Sequence, residues 1–185
     1  MDPAMNEFPN NLWAPWRMEY IHSLGDNTGG DDACFLCDYR DAPDQDANNH
    51  VVCRTHDSMI LLNRFPYTNG HLLIAPLDHK ADLDELSDAE MHGLWSLTRD
   101  AKTLLADTLG PHGFNIGLNF GRCAGAGLPG HLHVHIVPRW NGDTNFMAIL
   151  GDVRVIPEAL DRQYERLRAL ALEKNLPSRG GGSSS

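Results

Sequence analysis

Nine residues in the second half of the chain read His131-Leu132-His133-Val134-His135-Ile136-Val137-Pro138-Arg139. Histidine and an aliphatic residue alternate three times, and a period of two is typical of a β-strand. In a strand over residues 131–137 the three imidazoles face one side, while the three aliphatic residues between them face the core. The pattern therefore predicts a strand with one buried face and three converging histidines.

Catalysis explains three histidines on one strand face better than a solvated surface or a shared metal ion does. A solvated face usually draws on Thr, Lys and Glu, and same-face neighbours on a strand lie about 7 Å apart, which is wide for three ligands of one ion. A neutral imidazole, with an ordinary pKa near ~6.5, is nucleophilic at pH 7. We predict that His133 attacks phosphorus and that His135 donates hydrogen bonds or a proton to phosphate or leaving-group oxygens.

A glycine-rich segment, residues 121–130, leads into the predicted strand. Backbone N–H groups that no side chain shields can bind phosphate oxygens. The sequence therefore predicts that backbone amides of this loop contact phosphate oxygens. Together with the three histidines, this loop favours a phosphate ester or anhydride as the ligand.

The other apolar patterns predict an α+β domain in which helices pack on an antiparallel sheet. Short apolar runs between turn residues predict further strands at 51–53, 58–62, 71–75 and 114–120. Ser87 and Glu90 form a capping-box pattern, and an apolar stripe continues from there to Gly110, which predicts one long helix. A last helix is predicted from about Pro157 to Glu173. We expect five or six strands, one main packed helix and a C-terminal helix.

Composition limits the class of protein further. The 185 residues include 15 Lys and Arg against 25 Asp and Glu, a net charge of −10, so no positive field is available for polymeric nucleic acid. No apolar run reaches the ~18 residues of a membrane span, and the first ten residues lack the pattern of a secretory signal. We expect a cytoplasmic protein with an N-terminal arm (1–32), one catalytic domain (33–175) and a disordered tail (176–185).

A second motif, Cys34-Phe-Leu-Cys37, allows three interpretations. Two cysteines at this spacing occur as a redox dithiol, as buried core residues and as half of a zinc site. The redox interpretation lacks a thioredoxin-like βαβ pattern, and zinc needs two more ligands that only the fold can bring close. The motif alone leaves the question open.

From residue 58 to residue 140 the sequence resembles the histidine triad (HIT) nucleotide-binding superfamily. The resemblance is carried by Leu62-Asn63-Arg64, Gly70-His71-Leu-Leu-Ile-Ala-Pro76, Asn119 and the histidine triplet. Flanking segments, Leu12 to Ile21, Phe114 to Asn119 and Pro138 to Phe146, resemble the bacterial branch that includes diadenosine tetraphosphate phosphorylases.

The resemblance implies roles for particular side chains. His133 matches the nucleophile that forms a nucleotidyl-histidine intermediate, and His135 matches the histidine that contacts the phosphate and the leaving group. Asn63 stands where members bind the ribose hydroxyls, and Asn119 where a polar side chain reaches the phosphates or leaving group. Many members have Ser or Thr three residues before the first triad histidine. Leu128 stands there in this sequence, so backbone amides between Gly125 and Gly127 are expected to replace that contact.

The resemblance also implies a structural zinc site and a homodimer. Its implied zinc ligands are Cys34, Cys37, His79 and His131, with His50, His56 and His71 as alternative ligands or plain surface residues. In the implied dimer, the helix from about Ser87 to Asp107 and an edge strand meet their copies.

The expected reaction is cleavage of diadenosine tetraphosphate, with phosphate as the acceptor, to give ADP and ATP. The alternatives are a HIT hydrolase of adenine nucleotides or nucleoside phosphoramidates, and a nucleotide-binding module without turnover.

Overall fold

The computed structural model describes residues 34–143 and 158–176. Five strands in this part form one antiparallel sheet in the order β1-β2-β3-β5-β4. In chain order the strands are β1 (Val51–Arg54), β2 (Ser58–Leu62), β3 (Leu72–Pro76), β4 (Gly113–Leu118) and β5 (Val134–Arg139). The helices are α1 (Phe35–Asp41), α2 (Asp88–Leu109) and α3 (Leu160–Glu173). The predicted α+β class is confirmed, whereas the predicted N-terminal arm and all but the first residue of the tail lie outside the described residues.

The long helix α2 begins and ends where its local sequence predicts. The Ser87 hydroxyl accepts a hydrogen bond from the Glu90 amide, and the Glu90 carboxylate accepts one from the Ser87 amide at 2.8 Å. Gly110 adopts a left-handed conformation with φ of 58° and ends the helix. One face of α2 is buried, through Leu94, Leu97, Thr98, Ala101, Leu104 and Leu105.

Different groups of residues cover the two faces of the sheet. One face packs under α2 and α3 as the main core, and Leu132, Val134 and Ile136 all point into it, as the alternation predicts. A smaller apolar cluster, which includes Leu36 of α1, covers part of the opposite face. Leu73 of β3 belongs to this cluster and pairs with His135 of β5, so the catalytic candidates lie on the second face.

Several element boundaries differ from the predicted ones. β5 begins at Val134 rather than at residue 131, because the Leu132 amide donates to the carbonyl of Lys80 at 2.6 Å instead of to a neighbouring strand. β4 ends at Leu118, before the predicted end at residue 120, and α3 begins at Leu160 rather than near residue 157. The seven-residue helix α1 was not predicted, since it is too short to show a helical period.

Within the described ranges, no helix is both long enough and apolar enough to span a membrane.

Candidate functional site

His133 is held in the protonation state of a nucleophile. The residue is 7% exposed, and its Nδ1 lies 2.8 Å from the backbone carbonyl of His131. A carbonyl oxygen only accepts, so Nδ1 carries the hydrogen and the lone pair is on Nε2. Burial lowers the pKa of His133 below its ordinary value, which keeps the imidazole neutral at pH 7. The ring therefore presents a free electron pair for attack on an electrophile.

His135 is the immediate neighbour of His133. The two ring centroids are 4.9 Å apart and the planes are inclined by 62°. Burial, and then the proximity of His133, lowers the pKa of His135 to about 4. Both imidazoles are therefore neutral rather than cationic near pH 7.

A chain of hydrogen bonds determines which nitrogen of His135 carries the hydrogen. The backbone amide of Tyr67 donates to Nδ1 of His71 at 3.1 Å, so His71 has its hydrogen on Nε2. That Nε2 lies 3.0 Å from Nδ1 of His135, which must accept. His135 consequently carries its own hydrogen on Nε2, next to the side chain of Asn119 at 3.3 Å. The Asn119 atom at this distance is Nδ2, and because Nε2 of His135 donates, we infer that the amide is turned so that its oxygen faces Nε2.

His71 belongs to this hydrogen-bonded chain, a position that the sequence-based reasoning missed. It was expected to be an alternative metal ligand or a surface residue, but it is fully buried and lies outside the cysteine cluster. Its position in the chain could have indicated this role, because His71 directly precedes β3, the strand that pairs with β5. The expectation for His71 is corrected accordingly. His56 is exposed, and His50 contacts Asp161 at 2.7 Å, so neither joins the cysteines.

The two asparagines lie beside this hydrogen-bonded chain. Asn63 follows β2, where its Oδ1 accepts from the amide of Phe65 at 2.9 Å and its Nδ2 lies 3.2 Å from Nδ1 of His71. Asn119 follows β4 and reaches His135. The structure thus brings both residues to the histidine pair, while ribose binding by Asn63 and phosphate or leaving-group binding by Asn119 stay predictions.

The glycine-rich loop has an internal framework of its own. Gly125 adopts a φ of 89° and donates its amide hydrogen to the carbonyl of Arg122 at 3.0 Å. Gly127 is exposed, and its role and that of Gly125 in phosphate binding remain predictions. Leu128 packs against the smaller apolar cluster, so its side chain has a structural function on the second face. Arg139 is bonded to Asp143 and Asn115.

His131 separates from the other two histidines and joins a cluster of two cysteines and a fourth side chain. Nδ1 of His131 lies 3.2 Å from Sγ of Cys34 and 3.6 Å from Sγ of Cys37, and Nδ1 of His79 lies 3.2 Å from Sγ of Cys37. The four potential ligand atoms all lie within 4.8 Å of one another. The expectation that three imidazoles converge is therefore corrected to a pair plus one, because residues 131–133 precede β5.

The chemistry of this cluster fits a tetrahedral metal ion. In a zinc site with bonds of about 2.3 Å to sulfur and about 2.0 Å to nitrogen, sulfur and nitrogen ligands are roughly 3.5 Å apart. Nε2 of His131 lies 2.9 Å from the carbonyl of Pro76, to which it donates, so its Nδ1 lone pair points at the cysteines. Among the described residues, this is the group that can hold a metal ion.

Comparison with known proteins identifies the family. Residues 44–142 match the HIT domain. The chain belongs to the HIT family. Both halves of the histidine pair, the Asn63–His71 region and two of the four potential metal ligands lie inside the HIT domain, whereas Cys34, Cys37 and helix α3 lie outside it.

Relatives and solved structures agree with this assignment. An AP-4-A phosphorylase of Mycobacterium tuberculosis is 38% identical over 162 residues, which cover 85% of this HIT protein and 82% of the relative. The asymmetrical bis(5'-nucleosyl)-tetraphosphatase of Schizosaccharomyces pombe is 32% identical over 95 residues, 51% of this chain and 52% of the relative. A zinc-bound histidine triad family protein from Mycobacterium smegmatis has a TM-score of 0.63 at 26% identity and covers 79% of this chain and 98% of its own. The predicted family and the predicted fold are confirmed.

Proposed function

We propose that this HIT protein is an enzyme that cleaves dinucleoside polyphosphates by phosphorolysis, converting diadenosine tetraphosphate and phosphate to ADP and ATP. The observation that carries the proposal is the neutral His133, with its lone pair on Nε2, beside a neutral His135 that donates from Nε2. The similarity to an AP-4-A phosphorylase over most of both chains supports the choice of substrate.

In the first step, Nε2 of His133 attacks an α-phosphorus of the substrate. A phosphorus–nitrogen bond forms, the bond from that phosphorus to the α,β-bridging oxygen breaks, and ATP leaves with the electron pair of the broken bond. His135 stabilises the departing oxygen by donating its Nε2 hydrogen. The carbonyl of His131 accepts from Nδ1 of His133 and stabilises the positive charge that the ring gains on adenylylation.

In the second step, an oxygen of orthophosphate attacks the adenylyl phosphorus. The phosphorus–nitrogen bond breaks, ADP leaves, and His133 returns to its neutral form. If water attacks instead, the product is AMP. Because the same intermediate serves both acceptors, selection depends on how the loop over residues 121–130 seats phosphate and excludes water.

The cluster of two cysteines and two histidines is proposed to bind one structural zinc ion through Cys34, Cys37, His79 and His131. Four protein ligands close the coordination shell, so the ion ties α1 and the segment before β5 together and does not bind substrate. The zinc-bound relative from Mycobacterium smegmatis supports this identity.

The acceptor is tested by product analysis. With diadenosine tetraphosphate as substrate, millimolar phosphate is expected to speed turnover and to change the products from AMP plus ATP to ADP plus ATP. Chromatography of the nucleotides, with labelled phosphate incorporated into ADP, measures this directly. Products that remain AMP plus ATP at saturating phosphate favour the hydrolase alternative, and no turnover under either condition favours a binding module.

We propose further that two copies form a homodimer through β4 and the adjoining face of α2. β4 is an edge strand, and both Ile116 in its middle and Trp95 on α2 expose about two fifths of their surface, 42% each. An exposed apolar edge of this kind is stabilised by pairing with its copy.

Light scattering is expected to give about twice the chain mass of 20.5 kDa at micromolar concentration. Ile116→Lys is expected to shift the protein to the monomer, because it puts a charge into the proposed contact. Leu172→Lys on α3, a substitution at another exposed aliphatic residue, is the matched control and should leave the mass unchanged. A wild-type mass of a single chain contradicts the dimer.

A further inference from the structure

Helix α3 lies outside the HIT domain, yet one of its side chains contacts the turn that precedes His71. Gln163 is 1% exposed, and a buried amide is costly unless its polar atoms are bonded. Its Oε1 accepts from the backbone amide of Gly70 at 2.9 Å. Its Nε2 donates to the side-chain oxygen of Asn69 and lies 3.3 Å from the carbonyl of Glu158. Two of these three contacts therefore hold the turn that contains Asn69 and Gly70.

The turn over residues 68–70 is closely packed on its other sides. Gly70 has a φ of 75°, and a Cβ atom there would lie 2.4 Å from the side chain of Leu109. The hydroxyl of Thr68 donates to the carbonyl of Pro138 in β5 at 3.0 Å. Gln163 supplies the acceptor for the amide of the very residue that needs the left-handed conformation. Without Gln163, the buried N–H of Gly70 loses its acceptor, and the backbone at Gly70 is expected to shift.

A movement at Gly70 passes directly to the next residue, His71. The His71 ring must hold two partners at once, the Tyr67 amide at Nδ1 and Nδ1 of His135 at Nε2. These distances, 3.1 and 3.0 Å, leave little room before either hydrogen bond is lost. Loss of the second bond frees His135 to carry its hydrogen on Nδ1, which removes the donor from Nε2.

We propose that Gln163 is a positioning residue for catalysis: by holding the amide of Gly70, it fixes His71 and thereby the Nε2 hydrogen of His135. The effect on turnover rests on the function proposed above. The side chains of His133, His71, Tyr67 and Asn119 lie beside His135, whereas the hydrogen bonds described for Gln163 go to Gly70, Asn69 and Glu158. It acts through the backbone.

Other residues of α3 anchor the helix without touching this turn. Arg166 donates to the carbonyl of Thr108 at 2.6 Å, and Arg168 donates to the carbonyl of Val52 at 2.7 Å. These anchors keep α3 docked when Gln163 is replaced, so Arg168 provides a matched control for loss of helix attachment alone.

The kinetic test compares variants of the full chain with diadenosine tetraphosphate and phosphate. Gln163→Met keeps the length of the side chain and removes its hydrogen bonds, and it is expected to lower kcat about 10- to 100-fold with KM within about twofold. Gln163→Glu keeps an acceptor for Gly70 and should retain most of kcat. Asn69→Ala removes one contact of Gln163 and should lower kcat less than Gln163→Met does. Arg168→Met should lower Tm but leave kcat within about twofold.

A second measurement needs no substrate. The ring nitrogen shifts of His135, measured by NMR, should show the hydrogen on Nε2 in the wild type and Arg168→Met, and a mixture of tautomers in Gln163→Met and Asn69→Ala. If this mixture appears but the wild type does not turn over the substrate, the positioning stands and the proposed function fails. Unchanged tautomers and kcat in Gln163→Met and Asn69→Ala, or an equal loss of kcat in Arg168→Met, overturn the positioning.

Discussion

Replacement of His133 by alanine is expected to lower kcat on diadenosine tetraphosphate by about 10³-fold or more, with the fold intact. The substitution removes the Nε2 lone pair that attacks phosphorus. His135 cannot take over, because its Nδ1 accepts from His71 and its Nε2 carries the hydrogen. Steady-state turnover measures the effect, and a thermal melt confirms that the variant is folded.

His56→Ala is the matched control for His133→Ala. This histidine has a side chain that is 91% exposed, and its substitution should leave kcat unchanged. Quenching a reaction of labelled substrate before phosphate is added should also trap an acid-labile adenylyl-protein in the wild type and none in His133→Ala. Near-wild-type turnover in His133→Ala would falsify the assignment of the nucleophile.

Substitution of Cys34 by serine is expected to remove the metal and to destabilise the domain strongly. Purified without chelator, the wild type should contain close to one zinc per chain, and Cys34→Ser less than a few tenths. Loss of a closed zinc site costs several kcal/mol, and each kcal/mol shifts Tm by about 2–4 °C in a chain of this size, so Tm should fall by roughly 10 °C. Elemental analysis and calorimetry measure the two effects.

Activity should fall together with the zinc content, because His131 supplies both a potential metal ligand and the carbonyl that orients His133. Cys123→Ser is the matched control, since Cys123 is exposed in the glycine-rich loop and is not one of the four potential ligands. A wild type that carries no zinc, or a Cys34→Ser variant with an unchanged zinc content, contradicts the proposed site.

Short-range features of the chain were predictable because their causes lie within a few residues. The capping box between Ser87 and Glu90 and the left-handed Gly110 determine both ends of α2, and every hydrogen bond involved spans four residues or fewer. The alternation of histidine and aliphatic residues likewise separates the core face from the site face, since strand geometry alternates side chains whatever the rest of the fold. These patterns indicated the fold class and placed His133 and His135 on one face of a strand.

The boundaries of β5 were not predictable from the same alternation. Residues 131–133 keep the period of two, but the Leu132 amide bonds to the carbonyl of Lys80, some fifty residues earlier. This contact keeps residues 131–133 out of the strand, so that β5 begins only at Val134 and His131 faces the cysteines. A local pattern contains no information on which distant carbonyl competes for an amide.

The sequence by itself determined the α+β class and, through the resemblance, indicated the family, the candidate catalytic histidines and four potential metal ligands that the fold does bring together. Tertiary structure alone decided which distant side chains contact these residues. His71 lies against His135, and His131 lies against Cys34 rather than against the other two histidines. Gln163 contacts Gly70 from a helix outside the HIT domain. The physical reason is that a tautomer, a buried lone pair or a coordination shell depends on atoms within about 3 Å of one another. Residues far apart in the chain supply those atoms, and only packing of the complete domain brings them together.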